Sequence, residues 1–240
     1  MPKARVDFCE LGCTRPSAPC SPFDVRSPIH MPLFRNAHEC LAAISEQYRS
    51  LTSYADDGFV RAFGSRGPKT CWFQTLFKQP QQFRFEFSTP HPYPPLRHIV
   101  TTSVVGTSGT AAYFASRHPR TGRSIEPVET LELAVAGATG ISHGAAHTIG
   151  SLLFNSVRGF SLQMLKRPRF RAYREFGGTL CSVITGQHPR GGRITVWFGR
   201  DDLLLRKVVR HWAKSEEVRL NIRPNAEVSD SAFGAPSAET

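Results

Sequence analysis

The segment Gln82-Phe83-Arg84-Phe85-Glu86-Phe87-Ser88 contains three phenylalanines that alternate with polar residues. This period of two residues is typical of a β-strand with one face buried and the other in water. The buried face would be a row of aromatic rings, and the exposed face would carry the polar side chains. We therefore predict a strand over residues 82–88.

A second aromatic segment, Cys71-Trp72-Phe73-Gln74-Thr75-Leu76-Phe77-Lys78, lies shortly before the first. It also predicts a strand, with apolar residues on both faces. Neighbouring strands of this kind would form a sheet with a strongly apolar concave side. That side must either pack a protein core or hold an apolar ligand, and the residues alone leave both interpretations open.

The 240-residue chain carries a formal net charge of +11, from 30 basic and 19 acidic side chains. Such an excess suits binding to nucleic acid or to an anionic membrane surface. The basic residues are scattered, however, apart from small clusters at residues 166–171 and 206–210, and no motif of the usual nucleic-acid-binding modules is present. We therefore expect no nucleic-acid partner. We also predict no transmembrane segment, because no run approaches the ~20 apolar residues of a membrane-spanning helix.

The six cysteines show no CxxC pair and no zinc-ligand spacing. A chain of this size does not need disulfides for stability, so we expect buried free thiols at Cys71 and Cys181. A bridge between these two cysteines remains an alternative in an oxidising compartment.

Both ends of the chain are predicted to be tails. Prolines interrupt residues 1–35 repeatedly, which predicts a disordered segment, and residues 236–240 are predicted to fray. No apolar run of about 7–15 residues follows a basic start, so no signal peptide is predicted. On this ground alone a cytoplasmic location stays open.

Between the tails, the patterns predict a helix, five strands, a helical insertion and five more strands. Asn36 and Glu39 have the spacing of a helix capping box, and apolar residues recur at helical spacing up to Leu51. Pro127 is interpreted as the first residue of a helix, which begins an insertion over residues 127–155. The strands are placed at residues 53–63, 70–78, 82–88, 98–105, 110–117, 169–176, 179–186, 193–199, 202–212 and 216–223. The predicted fold class is α+β, with one large antiparallel sheet and helices grouped on one side.

Several motifs, in this order, resemble those of the LolA-like group of lipoprotein carriers and their outer-membrane-lipoprotein-sorting relatives. The motifs are Tyr48-Arg49-Ser50-Leu51-Thr52-Ser53-Tyr54-Ala55-Asp56-Asp57-Gly58, Phe77-Lys78-Gln79-Pro80-Gln81-Gln82-Phe83-Arg84-Phe85-Glu86, Thr139-Gly140-Ile141-Ser142, Val196-Trp197-Phe198 and Ile222-Arg223-Pro224-Asn225-Ala226-Glu227-Val228. The resemblance implies a single LolA-like domain over residues 36–235. It would be an incomplete β-barrel, a large curved antiparallel sheet covered by a helical lid.

The resemblance also implies a function: non-enzymatic binding of a lipid or of the acyl chain of a lipoprotein, in the periplasm or cell envelope. Lipid or an acylated protein would then be the partner. Two rim arginines, Arg84 and Arg193, are the candidates for contact with a headgroup. The candidate pocket residues are Phe73, Phe83, Phe85, Phe87, Leu152, Leu153 and Trp197.

Two other classes of function are alternatives. The same fold can bind a protein partner, as envelope-stress regulators of similar architecture do, and a filled core would favour that alternative. An enzyme is disfavoured, because His143 and His147 lack a third metal ligand, and neither Ser142 nor Ser151 lies in a nucleophile motif. The sequence thus predicts no catalytic residue, no metal site and no cofactor.

Overall fold

The computed structural model describes residues 34–235, except residues 65–66, 92–98, 109–110, 160 and 190–191. The predicted tails therefore lie outside the described residues, apart from Phe34 and Arg35. Within the described part, the helices are α1 (Ala37–Ser50), α2 (Leu131–Ile141) and α3 (Ala145–Leu153). The strands are β1 (Ser53–Gly64), β2 (Gly67–Lys78), β3 (Gln82–Pro90), β4 (Val100–Ser108), β5 (Ala111–His118), β6 (Gly122–Val128), β7 (Lys166–Phe176), β8 (Thr179–His188), β9 (Gly192–Gly199), β10 (Leu205–Arg210) and β11 (Ser215–Pro224).

The eleven described strands form one sheet in the order β6-β5-β4-β3-β2-β1-β11-β10-β9-β8-β7. Two antiparallel meanders, β1–β6 and β7–β11, join where β1 pairs antiparallel with β11. The outermost strands, β6 and β7, do not pair with each other, so the sheet stays open. The predicted α+β fold class, with a large antiparallel sheet that does not close into a barrel, is confirmed.

Helix α1 packs its apolar stripe on the sheet. The side chain of Asn36 accepts a hydrogen bond from the Glu39 backbone N–H at 2.9 Å, which is the predicted N-cap. Cys40, Leu41 and Ile44 are buried along one helix face. At the end of this stripe, the Tyr48 hydroxyl accepts a hydrogen bond from the Leu205 N–H at 3.0 Å and so ties α1 to β10.

Strand β6 was not predicted, and the interpretation of Pro127 as a helix start is wrong. Pro127 lies in β6, opposite Tyr113 of β5, and α2 begins only at Leu131. Because β6 is an edge strand, a proline there can face away from the ladder and leave no donor unpaired. The cap of α2 is Thr130, whose hydroxyl accepts a hydrogen bond from the Leu133 N–H at 3.2 Å.

Other predicted bounds differ by a few residues. The strand predicted over residues 202–212 is limited to Leu205–Arg210. The turn between β7 and β8 consists of Gly177 and Gly178, both at positive φ (57° and 76°), as a two-residue hairpin turn requires. None of the helices in the described part of the chain combines the length and hydropathy needed to span a bilayer.

The described cysteines, Cys40, Cys71 and Cys181, are buried free thiols. Cys71 and Cys181 therefore do not form the alternative disulfide. Burial raises the pKa of the Cys71 thiol to about 12, and the nearby Glu217 carboxylate acts in the same direction. Such a thiol stays protonated and unreactive at neutral pH.

Candidate ligand-binding face and its helical cover

The concave side of strands β2 and β3 is a continuous layer of phenylalanine rings. Phe73 pairs across the strands with Phe87, and Phe77 pairs with Phe83. The ring centroids of Phe73 and Phe85 are 5.4 Å apart, which is a normal distance for packed aromatic rings. We call this layer the aromatic face, composed of Phe73, Phe77, Phe83, Phe85 and Phe87.

Helices α2 and α3, which we call the cover, close over the concave side. Leu152 and Leu153 of α3 are buried in the same apolar cluster as the aromatic face. Phe154 follows them and meets the rings of Phe77 and Phe83 edge-on, with centroids 5.3 and 5.5 Å away. With the cover in this position, Phe83 and Phe85 are 0% exposed, so the aromatic face serves as protein core.

The structure brings together six of the seven predicted pocket residues, and Trp197 lies elsewhere. Its neighbours in β9, Val196 and Phe198, are buried on the concave side. Because successive strand residues point to opposite faces, Trp197 lies on the convex side, where it contacts Phe176 and Lys207. The alternation of Ile194, Val196 and Phe198 along β9 was the sequence signal for this placement.

The predicted headgroup arginines are not beside the aromatic face. Arg84 alternates with Phe83 and Phe85 and lies on the convex side, where it donates to Glu86 at 2.8 Å and to the Gly234 carbonyl at 3.2 Å. Arg193 lies at the other end of the sheet, with its Nη2 atom 3.2 Å from Nδ1 of His211. Both arginines therefore lie apart from the six predicted pocket residues that come together beneath the cover.

A buried group of charged residues, which we call the ion cluster, lies between the sheet and α3 and was not predicted. It consists of Asp56 of β1, Arg210 of β10, and Glu217 and Arg219 of β11. The fully buried Arg219 guanidinium donates to Asp56 at 2.6 Å and to Glu217 at 2.7 Å. Two cations and two carboxylates make the cluster formally neutral, as a buried charge group needs to be.

The ion cluster also connects the sheet to the cover. Arg219 Nη2 donates to the Ala145 carbonyl at 3.1 Å, and Arg210 Nη2 donates to the Thr148 hydroxyl at 2.5 Å. Arg210 is also paired with Glu217 at 2.7 Å. Burial alone would raise the pKa of Glu217, but the charges of Arg219 and Arg210 outweigh it and lower that pKa. Glu217 therefore stays ionised and holds both arginines in place.

The two histidines that the sequence analysis rejected as a metal site are His143, in the turn between α2 and α3, and His147, in α3. The Nε2 atom of His147 is 2.7 Å from the Arg158 carbonyl. The pKa of His143 is lowered mainly by burial and further by the charges of Lys69 and Arg210. Among the described residues, no three His, Cys, Asp or Glu side chains are grouped in a way that could hold a metal ion.

A half-open cavity of about 200 Å³ lies beside these histidines, at the edge of the cover. The turn between α2 and α3 forms one side of it, and the ends of β8–β11 form the other. We call it the edge cavity; its lining includes His143, Thr148, Leu162, Ile194, Arg210 and Trp212.

Comparison with known proteins gives similarity of fold only. No protein-family model matches this chain, and no curated protein matches it in sequence. An uncharacterised conserved protein from Thermus thermophilus is similar in structure, with a TM-score of 0.47 and 10% identity, over 83% of this chain and 94% of that one. LprF from Mycobacterium bovis gives a TM-score of 0.46 and 14% identity, over 83% and 96%.

A LolA superfamily protein from Nitrosomonas europaea is also among the similar solved structures. Its TM-score is 0.33 and its identity 10%, over 83% of this chain and 98% of that one. The similarity is one of backbone fold and identifies no ligand.

Proposed function

We propose that this protein is a non-enzymatic binding protein that holds a lipid or the acyl chain of a lipoprotein against the aromatic face. The observation that carries the proposal is the aromatic face itself, a continuous layer of five phenylalanines beneath a cover built from short helices. A ligand would occupy this face after the cover moves aside. The resemblance to lipoprotein carriers suggests the periplasm or cell envelope as its location.

The construction of the cover supports movement. Helix α3 has nine residues, and its N-cap, Gly144, provides no side-chain hydrogen bond. The link to α2 contains His143 at φ 52° and Gly144 at φ 95°. The buried residues of α2 and of the first turn of α3 are mostly small (Ala134, Ala138, Ala145 and Ala146), whereas larger residues, Ile149, Leu152 and Leu153, anchor the end of α3. Small side chains bury little apolar area, so they hold a helix less firmly than large ones.

For a long acyl chain, the free energy gained by burying its methylenes is comparable to the free energy needed to open the cover. Opening the cover breaks the hydrogen bonds from Arg219 and Arg210 to α3, each worth about 1.5–3 kcal/mol because the donor is charged. It also exposes apolar surface that the ligand must cover again. Each buried methylene contributes about 0.8 kcal/mol, so about twelve methylenes contribute roughly 10 kcal/mol. We therefore expect long chains to bind and short ones to fail at this face.

A second candidate function is binding of a protein partner. The filled core beneath the cover favours it, as expected from the sequence, and so does an exposed aromatic group on the convex side. Trp72 is 57% exposed and Phe63 is 52% exposed. Phe59 lies directly opposite Trp72 in the sheet, with its ring 5.3 Å from that of Trp72 and beneath the Arg61 guanidinium. Exposed aromatic residues next to arginine are typical of protein interfaces.

Native mass spectrometry of the gently purified protein, followed by organic extraction, tests the first proposal. We expect a co-purified lipid or fatty acid. The purified protein should also take up the fluorescent fatty acid cis-parinaric acid at one molecule per chain, and palmitate should displace it. A clean apo mass together with no uptake of cis-parinaric acid would contradict the proposal and favour the partner-binding function.

Variants locate the site. Phe85→Asp places a carboxylate within the aromatic face and should abolish uptake, whereas Phe85→Leu keeps the face apolar and should retain it. Trp72→Asp introduces the same charge on the convex side and is the matched control, with uptake unchanged. Circular dichroism verifies that each variant is folded. Uptake retained in folded Phe85→Asp would show that the ligand lies elsewhere.

A further inference from the structure

The edge cavity has two walls that depend on glycine. On one side, the indole of Trp212 stacks on the His188 ring, with centroids 5.7 Å apart and planes 29° from parallel. A Cβ atom at Gly192 would lie only 2.8 Å from Cβ of Trp212 and closer still to the indole ring. Only glycine therefore allows the indole to lie flat against β9.

On the other side, Gly144 allows the Arg210 guanidinium to approach the backbone of the cover. A Cβ atom at Gly144 would lie 3.2 Å from that guanidinium, and the φ of 95° disfavours any other residue there. The two glycines thus place an aromatic plate and a guanidinium at the same cavity.

Arg210 contributes the guanidinium that lines the cavity, and Glu217 balances its charge. Its side chain is 11% exposed, and its Nη2 atom is occupied by Thr148 and Glu217. Its Nη1 atom has no hydrogen-bond partner among the described residues but is itself buried, so an acceptor in the cavity reaches it only after a small shift of the side chain. The described residues that line the cavity include no carboxylate, since Glu217 lies fully buried behind Arg210. A buried guanidinium donor without a partner favours an incoming acceptor, above all a charged one.

We propose that the edge cavity binds a small amphipathic carboxylate. The carboxylate accepts hydrogen bonds from Arg210, and the apolar part lies against Trp212, Leu162 and Ile194. A volume of about 200 Å³ is smaller than the ~300–1,000 Å³ of pockets for drug-sized ligands, so the bound group must be small. Hexanoate is the probe of suitable size. This proposal does not rest on the aromatic face, and it holds whether the carboxylate belongs to a small free acid or to the head of a long acyl chain.

Titration of the full chain with hexanoate, followed by NMR of the three tryptophan indole N–H groups, tests the proposal. We expect hexanoate to shift the Trp212 signal and to leave the Trp72 signal unchanged. Hexanamide has the same size and shape but no charge, and it should bind at least about tenfold more weakly because the charge-assisted hydrogen bond is lost. Equal affinity for hexanoate and hexanamide, or an unchanged Trp212 signal, would overturn the proposal.

Two variants make the test specific to the cavity. Trp212→Leu removes a wall that is 43% exposed, so it should fold normally and bind hexanoate about tenfold more weakly. Calorimetric titration measures this affinity, because the variant lacks the Trp212 signal. Arg210→Lys keeps the charge beside Glu217 but loses the planar fork, and it should also weaken binding. Trp72→Leu, on the convex side, is the matched control. Unchanged affinity in both Trp212→Leu and Arg210→Lys would refute the assignment.

Competition with palmitate distinguishes the two sources of the carboxylate. If palmitate displaces hexanoate, the cavity is the site for the head of a long acyl chain. If palmitate does not displace it, the cavity is a site for a small free acid. Both results support carboxylate binding here. Hexanoate binding without uptake of cis-parinaric acid would uphold this proposal and refute the acyl-binding function, so the two failures are separable.

Discussion

Replacing Arg219 by methionine tests whether the ion cluster holds the sheet and the cover together. The Arg219 guanidinium is fully buried and has polar partners in Asp56, Glu217 and the Ala145 carbonyl. Methionine retains part of the apolar stem but removes the charge. Glu217 would keep Arg210 as its partner, and Asp56 would lose its ion pair.

The expected loss follows from the burial of the charges. Removing one partner of a buried ion pair destabilises a protein by about 3–5 kcal/mol, because the other charge is left uncompensated. For a domain of roughly 200 residues, each kcal/mol corresponds to about 2–4 °C in Tm, so we expect a decrease of roughly 6–20 °C. An exposed pair offers the contrast: Lys78→Met breaks the ion pair with Asp230 at the surface, where water screens the charges, and should leave Tm nearly unchanged.

The loss should also depend on pH with a definite sign. Burial already raises the pKa of Asp56, even though Arg219 opposes this effect. Without Arg219 that pKa rises further. The penalty for an ionised Asp56 is fully present above the folded-state pKa and disappears as pH falls through it. The difference in stability between wild type and Arg219→Met should therefore shrink on acidification.

Urea unfolding followed by circular dichroism measures these differences. The double variant Arg219→Met with Asp56→Leu leaves Arg210 paired with Glu217, so it should recover most of the lost stability. A folded Arg219→Met variant within about 1 kcal/mol of wild type would refute the reasoning. A double variant no more stable than the single one would refute it as well.

Two further predictions concern single positions. Gly58→Ala should destabilise the fold by about 1–3 kcal/mol in the same urea assay, because the added Cβ would lie 2.6 Å from the Phe73 ring and closer still to the Val218 carbonyl. The control Gly137→Ala places its Cβ in open space on α2 and should be neutral or stabilising. Equal effects of the two substitutions would contradict this steric argument. His143→Asn should gain up to about 1 kcal/mol, because asparagine tolerates the positive φ of this position. The pKa of His143 is lowered in the folded protein, so the unfolded wild-type chain takes up the proton first as pH falls below about 6.5, and wild type loses stability. The Tm of His143→Asn relative to wild type should therefore increase with acidification. A difference in Tm that does not change with pH would contradict this effect of His143 protonation.

Local patterns in the sequence predicted the parts of the fold that depend on local periodicity. The alternation over residues 82–88 predicted a strand with buried phenylalanines, and Phe83 and Phe85 are 0% exposed. The Asn36 cap and the helical spacing up to Leu51 predicted α1. These predictions succeeded because one buried face imposes a period on adjacent residues.

The ion cluster could not be predicted in this way. Asp56 and Arg219 are 163 residues apart and meet only because β1 pairs with β11 at the centre of the sheet. Charged residues in a strand normally indicate a solvent-facing side, and no local pattern marks Glu217 and Arg219 as buried. The placement of Trp197 failed for a different reason: an aromatic residue in an apolar strand fits either face, and only its buried neighbours decide which.

The open sheet has a consequence for self-association. Its two outer strands present backbone groups to which a second chain could add as a further strand. Strand β7 carries Arg167, Arg169, Arg171 and Arg174 as exposed side chains, together with Pro168. The arginines repel an identical edge, and the proline lacks a donor for a continuous ladder. At the opposite edge, β6 contains Pro127. We therefore expect the basic cluster at residues 166–171 to disfavour the addition of a second chain at this edge.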